Sequence, residues 1–220
     1  MVRQARSEAT RNKIIDAAVD LFSERGYSAT GLGDIIERVQ MTKGALYYHF
    51  DSKESLASAI VEEGATTLLN AFLSACRPSS PALENMVHGL FVVSDLFAND
   101  KVARAGVHLL RTFAEFNEVP SHTYDGWLQA MAAQARQASA EGDLRGDLDP
   151  EVVSDVIIGA MLGAELISNA TSGGADLIPR VVRTWEILLP AIATDESLPY
   201  FREFLARESL RQPQPTLSIE

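Results

Sequence analysis

Apolar residues recur along this chain at helical spacing, and nowhere do they alternate over a length that would make a strand. Ile14, Ala18, Leu21 and Phe22 stand at i, i+4, i+7 and i+8, which predicts a helix over residues 6–25 with Gly26 as its stop. A short second helix follows over Leu32–Val39, with Ile35, Ile36 and Val39 facing inward. Gln40 and Met41 form a turn, and Thr42 is the N-cap of a third helix that ends near Phe50. Asp51 and Glu54 have the spacing of a capping box and launch a fourth helix over 53–75. Beyond Pro78-Ser79-Ser80-Pro81 the same period predicts helices over 82–98, 102–117, 121–140, 150–171, 175–192 and 196–208. The expected fold class is all-α.

Composition narrows the setting. The longest apolar stretch, Val156–Ile167, contains Glu165 and is shorter than the ~18 residues of a membrane span. A single cysteine, Cys76, and no charged-then-apolar leader point to an intracellular, cytoplasmic protein without a membrane partner. The formal net charge is −11, yet residues 1–56 carry eight basic and eight acidic side chains, so all of the excess lies behind them. A neutral head with a basic tip on an acidic body suits contact with a polyanion at one end.

The head has the chemistry for such a contact. Three short helices with a tight turn before the third can bury a small core and present one helix to the major groove of a DNA duplex. In that third helix Ala45, Leu46 and Phe50 fall on a packing face. Thr42, Lys43, Tyr47, Tyr48 and His49 bring hydroxyl, ammonium, phenol and imidazole groups to the other side. All can donate to phosphate oxygens, and Lys43 can reach a guanine edge. Gly44 lacks a β-carbon and allows close approach to the sugar-phosphate backbone. Lys53, in the first turn of the fourth helix, is placed for a phosphate. The organisation expected is a helix-turn-helix domain over 1–56, helix 53–75 as connector, a ligand-binding and dimerisation domain over 57–210, and a flexible tail over 211–220.

The run from Arg11-Asn12-Lys13-Ile14-Ile15-Asp16-Ala17-Ala18 through Phe22-Ser23-Glu24-Arg25-Gly26-Tyr27 to Thr42–Phe50 and Lys53-Glu54 resembles the DNA-binding domain of the TetR family of repressors. The resemblance implies a helical homodimer whose Leu32–Val39 and Lys43–His49 helices form the helix-turn-helix. It also implies operator contacts from Thr42, Lys43, Tyr47, Tyr48, His49 and Lys53. The family usually has glycine in the inter-helix turn, where this chain has Gln40. A left-handed non-glycine residue costs about 1 kcal/mol, so a slightly reshaped turn is expected, not a lost motif. The opening Met-Val-Arg-Gln-Ala-Arg and a tryptophan at position 127 resemble the γ-butyrolactone autoregulator receptors within that family. Arg3 and Arg6 would then form a flexible basic arm along the groove or backbone.

For the second domain, the subgroup resemblance makes Trp127 the main ligand contact, its ring stacking on a lactone, butenolide or furan and its N–H donating to a carbonyl. Leu110, Phe113, Met131, Met161 and Glu165 are further candidates by helical phase. Val156–Ile167 is apolar nearly all round and must be covered on every side. Ile157, Gly159 and Gly163 there, with Val181, Trp185 and Leu188 on the next helix, are the expected dimer contacts. No hydrolase, metalloprotease or phosphate-loop motif is present, and His49, His88, His108 and His122 have no metal-ligand spacing, so no enzyme, metal or cofactor is expected. The expected function is a ligand-responsive repressor that holds a palindromic operator as a homodimer and is released by a γ-butyrolactone-like molecule. A pseudo-receptor, or a multidrug-sensing repressor in which Glu165 pairs a cation, stays open as the alternative.

Overall fold

The computed structural model describes residues 2–113 and 119–211, and the side chains of 4–112 and 122–211. Ten helices are formed among them: α1 Val2–Arg25, α2 Leu32–Val39, α3 Lys43–His49, α4 Lys53–Ala75, α5 Ala82–Asn99, α6 Lys101–Phe113, α7 Val119–Glu141, α8 Pro150–Ser172, α9 Leu177–Ile192 and α10 Leu198–Arg211. No strand is present among the described residues. The all-α expectation holds, and α2 and α4 have the expected bounds. The proposed tail lies almost wholly outside the described residues, as do positions 114–117 of the expected 102–117 helix.

The chain divides into two compact units, Met1–Thr67 with Asp100–Thr123, and Leu68–Asn99 with Tyr124–Glu220. In the first, Ile14, Ala18 and Leu21 of α1 meet a core that includes Ile35, Leu46, Leu56 and Ile60, all at most 1% exposed. Ile36 and Val39 are only half-buried. The α2–α3 turn has the left-handed backbone that the family's glycine provides: Gln40 sits at φ 54°, ψ 46°. Its N–H donates to the Glu37 carbonyl and that of Met41 to the Ile36 carbonyl, which closes α2. Thr42 caps α3 through its side chain, which accepts from the Ala45 N–H at 3.2 Å. At the start of α4 the box is made one residue later than expected. Ser52 and Ser55 exchange side-chain and backbone bonds at 3.0 and 3.2 Å, in place of Asp51 and Glu54.

Helix α6 belongs to this first unit. Lys101 bridges to Asp16 and Asp20 of α1 at 3.3 and 2.9 Å, and Ala103, Val107 and Leu110 are buried. It crosses α4 backbone to backbone. A β-carbon at Gly64 would lie 2.8 Å from the Val102 carbonyl oxygen and 3.2 Å from the Gly106 α-carbon. One at Gly106 would lie 3.0 Å from the Ile60 carbonyl oxygen.

The second unit is held by α9, which packs against α5, α8 and α10 through Val181, Trp185 and Leu189, each at most 2% exposed. Asp149 caps α8 ahead of Pro150, accepting from the Glu151 N–H at 2.9 Å. Between α8 and α9, Asp176 accepts from the Ser168 and Ser172 hydroxyls at 2.6 and 2.7 Å and pairs with Arg180 at 2.7 Å. Arg180 first, then the two serines, hold its carboxyl well below the ordinary carboxylate range.

Two outcomes follow from these contacts. Gly64→Ala gains helix propensity but drives a methyl into backbone that cannot yield, so a net destabilisation of about 1–3 kcal/mol is expected in denaturant titration. Asp176→Asn is expected to lower the melting temperature at neutral pH. Because the folded carboxyl titrates below its unfolded value, the wild-type advantage is complete above about pH 4 and disappears as pH falls through the folded value. An undiminished difference at the lowest pH that keeps the protein folded would contradict the assignment.

Candidate nucleic-acid interface and effector cavity

The sequence of α3 places its polar side chains outward. Leu46 and Phe50 are buried in the first unit while Tyr47 and Tyr48 are 43% and 77% exposed. Thr42, Lys43 and Gly44 are exposed beside them, with His49 and Ala45 half-buried. The Lys43 ammonium stands 5.6 Å from the Tyr47 ring centroid, and the Tyr48 ring meets His49 edge-on at 5.1 Å. A β-carbon on Gly44 would touch nothing, so the residue leaves an open notch on this face. The helix is thus a short ridge of phenol, hydroxyl and ammonium groups on an apolar base, braced from behind. Arg38 of α2 grips Glu24 of α1 with two bonds at 3.2 and 2.8 Å, and Arg11 of α1 reaches Glu63 of α4 at 3.1 Å.

Lys53 is employed differently from the α3 side chains. Its half-buried ammonium donates to the Tyr27 and Thr30 carbonyls, each at 3.1 Å, and lies 4.2 Å from the Tyr27 ring centroid. Burial, then the neighbouring Glu54, push the Tyr27 hydroxyl up to about 12. The amino-terminal basic residues also differ from expectation. Val2–Arg25 is continuous helix, so Arg6 is an exposed residue on α1 and not part of a flexible arm. The Arg3 side chain lies outside the described ones.

The second unit contains an apolar cavity. Helix α4 contributes Leu68, Leu69 and Phe72 to its wall, and α5 contributes Leu90, Val93 and Phe97. Helix α7 adds Trp127, Ala130 and Met131, and α8 adds Ile158, Met161 and Leu162. Each set repeats at three- or four-residue spacing, the signature of one helix face. Tyr124 meets the Trp127 ring edge-on at 5.7 Å. Of the six expected ligand contacts, Trp127, Met131 and Met161 are in this wall. Glu165 is buried elsewhere on α8, and Leu110 is buried on α6 in the first unit. The Phe113 side chain is outside the described ones. The α4 and α5 residues were missed because nothing in the sequence separates a cavity-lining Leu or Phe from a core one.

A third surface lies on α8 and α9. Val152, Val156, Leu166 and Ile167 of α8 are 49–57% exposed and Ile187 of α9 is 74% exposed. Gly159 is exposed and Gly163 half-exposed, and a β-carbon on either would touch nothing. Residues 152, 156, 159, 163 and 166 alternate steps of four and three, so they form one stripe. Of the expected dimer contacts, Gly159 and Gly163 lie on it. Leu188 is half-buried, and Ile157, Val181 and Trp185 are buried inside the subunit. An all-round apolar helix must put one face inward, and the inward face here is the one that carries Ile157.

The model of bacterial regulatory proteins of the tetR family matches residues 14–60, and that of the tetracyclin repressor-like C-terminal domain matches residues 80–194. The A-factor receptor protein of Streptomyces griseus is 34% identical over 193 residues, which is 88% of this chain and 67% of that protein. A crystal structure of a γ-butyrolactone receptor, an ArpA-like protein, is 28% identical with a TM-score of 0.79, covering 94% of this chain and 100% of that one. CprB from Streptomyces coelicolor, studied in complex with its biological operator sequence, is 28% identical with a TM-score of 0.77 and the same coverage.

The two lysines of the head should separate in a salt titration of duplex DNA binding. Lys43→Ala is expected to flatten the slope of log K against log salt by about 0.9, the loss of one phosphate contact. Lys53→Met is expected to leave the slope unchanged and lower the melting temperature, because its ammonium is occupied by two carbonyls.

Proposed function

The chain belongs to the TetR family of bacterial regulatory proteins, and we propose that it is a homodimeric repressor whose grip on a palindromic operator is released by a neutral, largely apolar molecule of the γ-butyrolactone, butenolide or furan type. The observation that carries this reading is the cavity wall: every residue that lines it is apolar, with the Trp127 ring among them. Such a wall fits a neutral ring and an alkyl chain. It does not fit a cation, because no carboxylate lines it, and with Glu165 outside the wall the multidrug-sensing alternative finds no support. The likeness to the A-factor receptor and to the γ-butyrolactone receptor structures supports the same class.

DNA contact is assigned to Thr42, Lys43, Gly44, Tyr47, Tyr48 and His49 of the α3 ridge, with Arg6 on α1 as a flanking phosphate contact and Lys53 as the brace beneath. The dimer contact is assigned to the Val152–Leu166 stripe of α8 with Ile187, where Gly159 and Gly163 let a second copy's backbone approach closely. Helix α4 carries Leu56 and Ile60 in the core of the head unit and Leu68, Leu69 and Phe72 in the cavity wall. An effector that favours a different setting of α4 can therefore lower operator affinity by no more than its own preference between the two settings. A duplex DNA target places the protein in the cytoplasm, and no helix among the described residues is long and apolar enough to cross a membrane.

Trp127→Ala is expected to bind operator DNA as the wild type does and to need at least about tenfold more acyl lactone for release in a mobility-shift assay. Release at an unchanged lactone concentration would remove Trp127 from the effector site.

A further inference from the structure

The wall of the effector cavity is not covered evenly. Trp127 and Ala130 of α7 and Leu162 of α8 are half-buried, whereas Leu90 and Phe97 of α5 and Phe72 of α4 are each 5% exposed. The cavity therefore opens beside Trp127 and is closed on the α5 side, where Phe72 forms part of the floor. There the Phe72 ring rests on bare backbone. Gly89 is a buried residue of the α5 interior, and a β-carbon on it would lie 2.5 and 2.7 Å from two carbons of that ring. Both distances are far inside ordinary carbon–carbon contact, about 3.5–4.0 Å. Glycine weakens a helix interior relative to alanine, so a glycine in that place calls for a packing reason. Here the reason is the seat it gives to an aromatic ring. Phe72 also borders the cavity, so the cavity is the empty space into which a displaced ring would move.

Resting on the effector reading above, we propose that Phe72 and Gly89 together set the length of acyl chain that the site accepts, Phe72 as the stop and Gly89 as the positioning residue behind it. With the effector's ring at Trp127, its chain runs inward and ends against the Phe72 ring. A methyl group at position 89 forces that ring to retreat from α5 by about 1 Å to regain ordinary contact. One methylene adds a similar length to a chain, so the longest chain accepted becomes one carbon shorter. Trimming Phe72 acts in the opposite sense and lengthens it. Each methylene that finds room inside the protein tightens binding about fourfold, and one that finds none adds nothing. The selectivity of the site for its effector is thus decided in part by a residue that never touches it.

The test is a calorimetric titration of the full-length protein with straight-chain 2-acyl-γ-butyrolactones, each one methylene longer than the last. For the wild type, affinity is expected to climb about fourfold per methylene and then level off at a definite length. Gly89→Ala should level off one methylene sooner, Phe72→Leu later, and the double variant between the two. A loss of stability alone would weaken every lactone alike and leave that length unchanged. Levelling off at the wild-type length in either single variant overturns the gauge, while the effector reading stands. Should Gly89→Ala fail to fold, the double variant decides, since the smaller side chain at 72 makes room for the methyl group. A levelling length equal to that of Phe72→Leu then overturns the gauge. If the wild type binds no lactone of the series, the effector reading falls and the gauge falls with it.

Discussion

The head of this protein depends on two helices touching through their backbones. Where α4 crosses α6, Gly64 and Gly106 bring the chains to a separation at which a single methyl group would strike a carbonyl oxygen. Side-chain packing can slide by small rotamer adjustments, but a crossing without side chains has nothing to adjust. The crossing, the Lys101 bridges to Asp16 and Asp20, and the Arg11 bridge to Glu63 tie α1, α4 and α6 together. The short α2 and α3 have few contacts of their own to spare. They keep their place because Ile35, Leu46 and Phe50 sink into the core that the longer helices enclose. The outward tyrosines can then be polar and exposed without loosening the helix that bears them.

The cavity obeys the opposite logic. Its wall is assembled from single faces of four helices, and apolar side chains around an unfilled space lose contacts that a packed core would keep. The same loss makes the space receptive to an apolar guest, since burial of the guest restores those contacts and removes its own surface from water. Methionines at 131 and 161 give two of the helices deformable side chains at that wall, which suits a guest with a flexible chain. A void in that wall costs stability, and a guest that fills it restores the lost contacts, which a ligand-responsive regulator needs.

Much of the fold is legible in the sequence because helix ends are local. Gly26, Thr42, Asp149-Pro150 and Gly173 mark boundaries through bonds within a few residues, so those boundaries are recovered almost to the residue. The errors fall where two local solutions compete or no local signal exists. Asp51/Glu54 and Ser52/Ser55 have the same spacing, and the structure uses the serines. The basic opening residues contain no breaker, so α1 continues through them and the expected arm is a helix. Among candidate site residues, the outward groups of α3 are readable because polar side chains on a short amphipathic helix have one place to go. Ile157, Val181 and Trp185 are not, since an apolar residue fits a dimer face and a subunit core equally well by pattern.

The sequence by itself determined the helical class, the positions of nearly all the helices, the polar ridge of α3 and the family, because periodicity, caps and short motifs are encoded within a few turns of chain. Only the tertiary structure decided that α6 joins the head unit, that α4 and α5 line the cavity, and which face of α8 is left uncovered. Those outcomes depend on which apolar faces meet across the chain. A leucine carries no mark of the neighbour it will find.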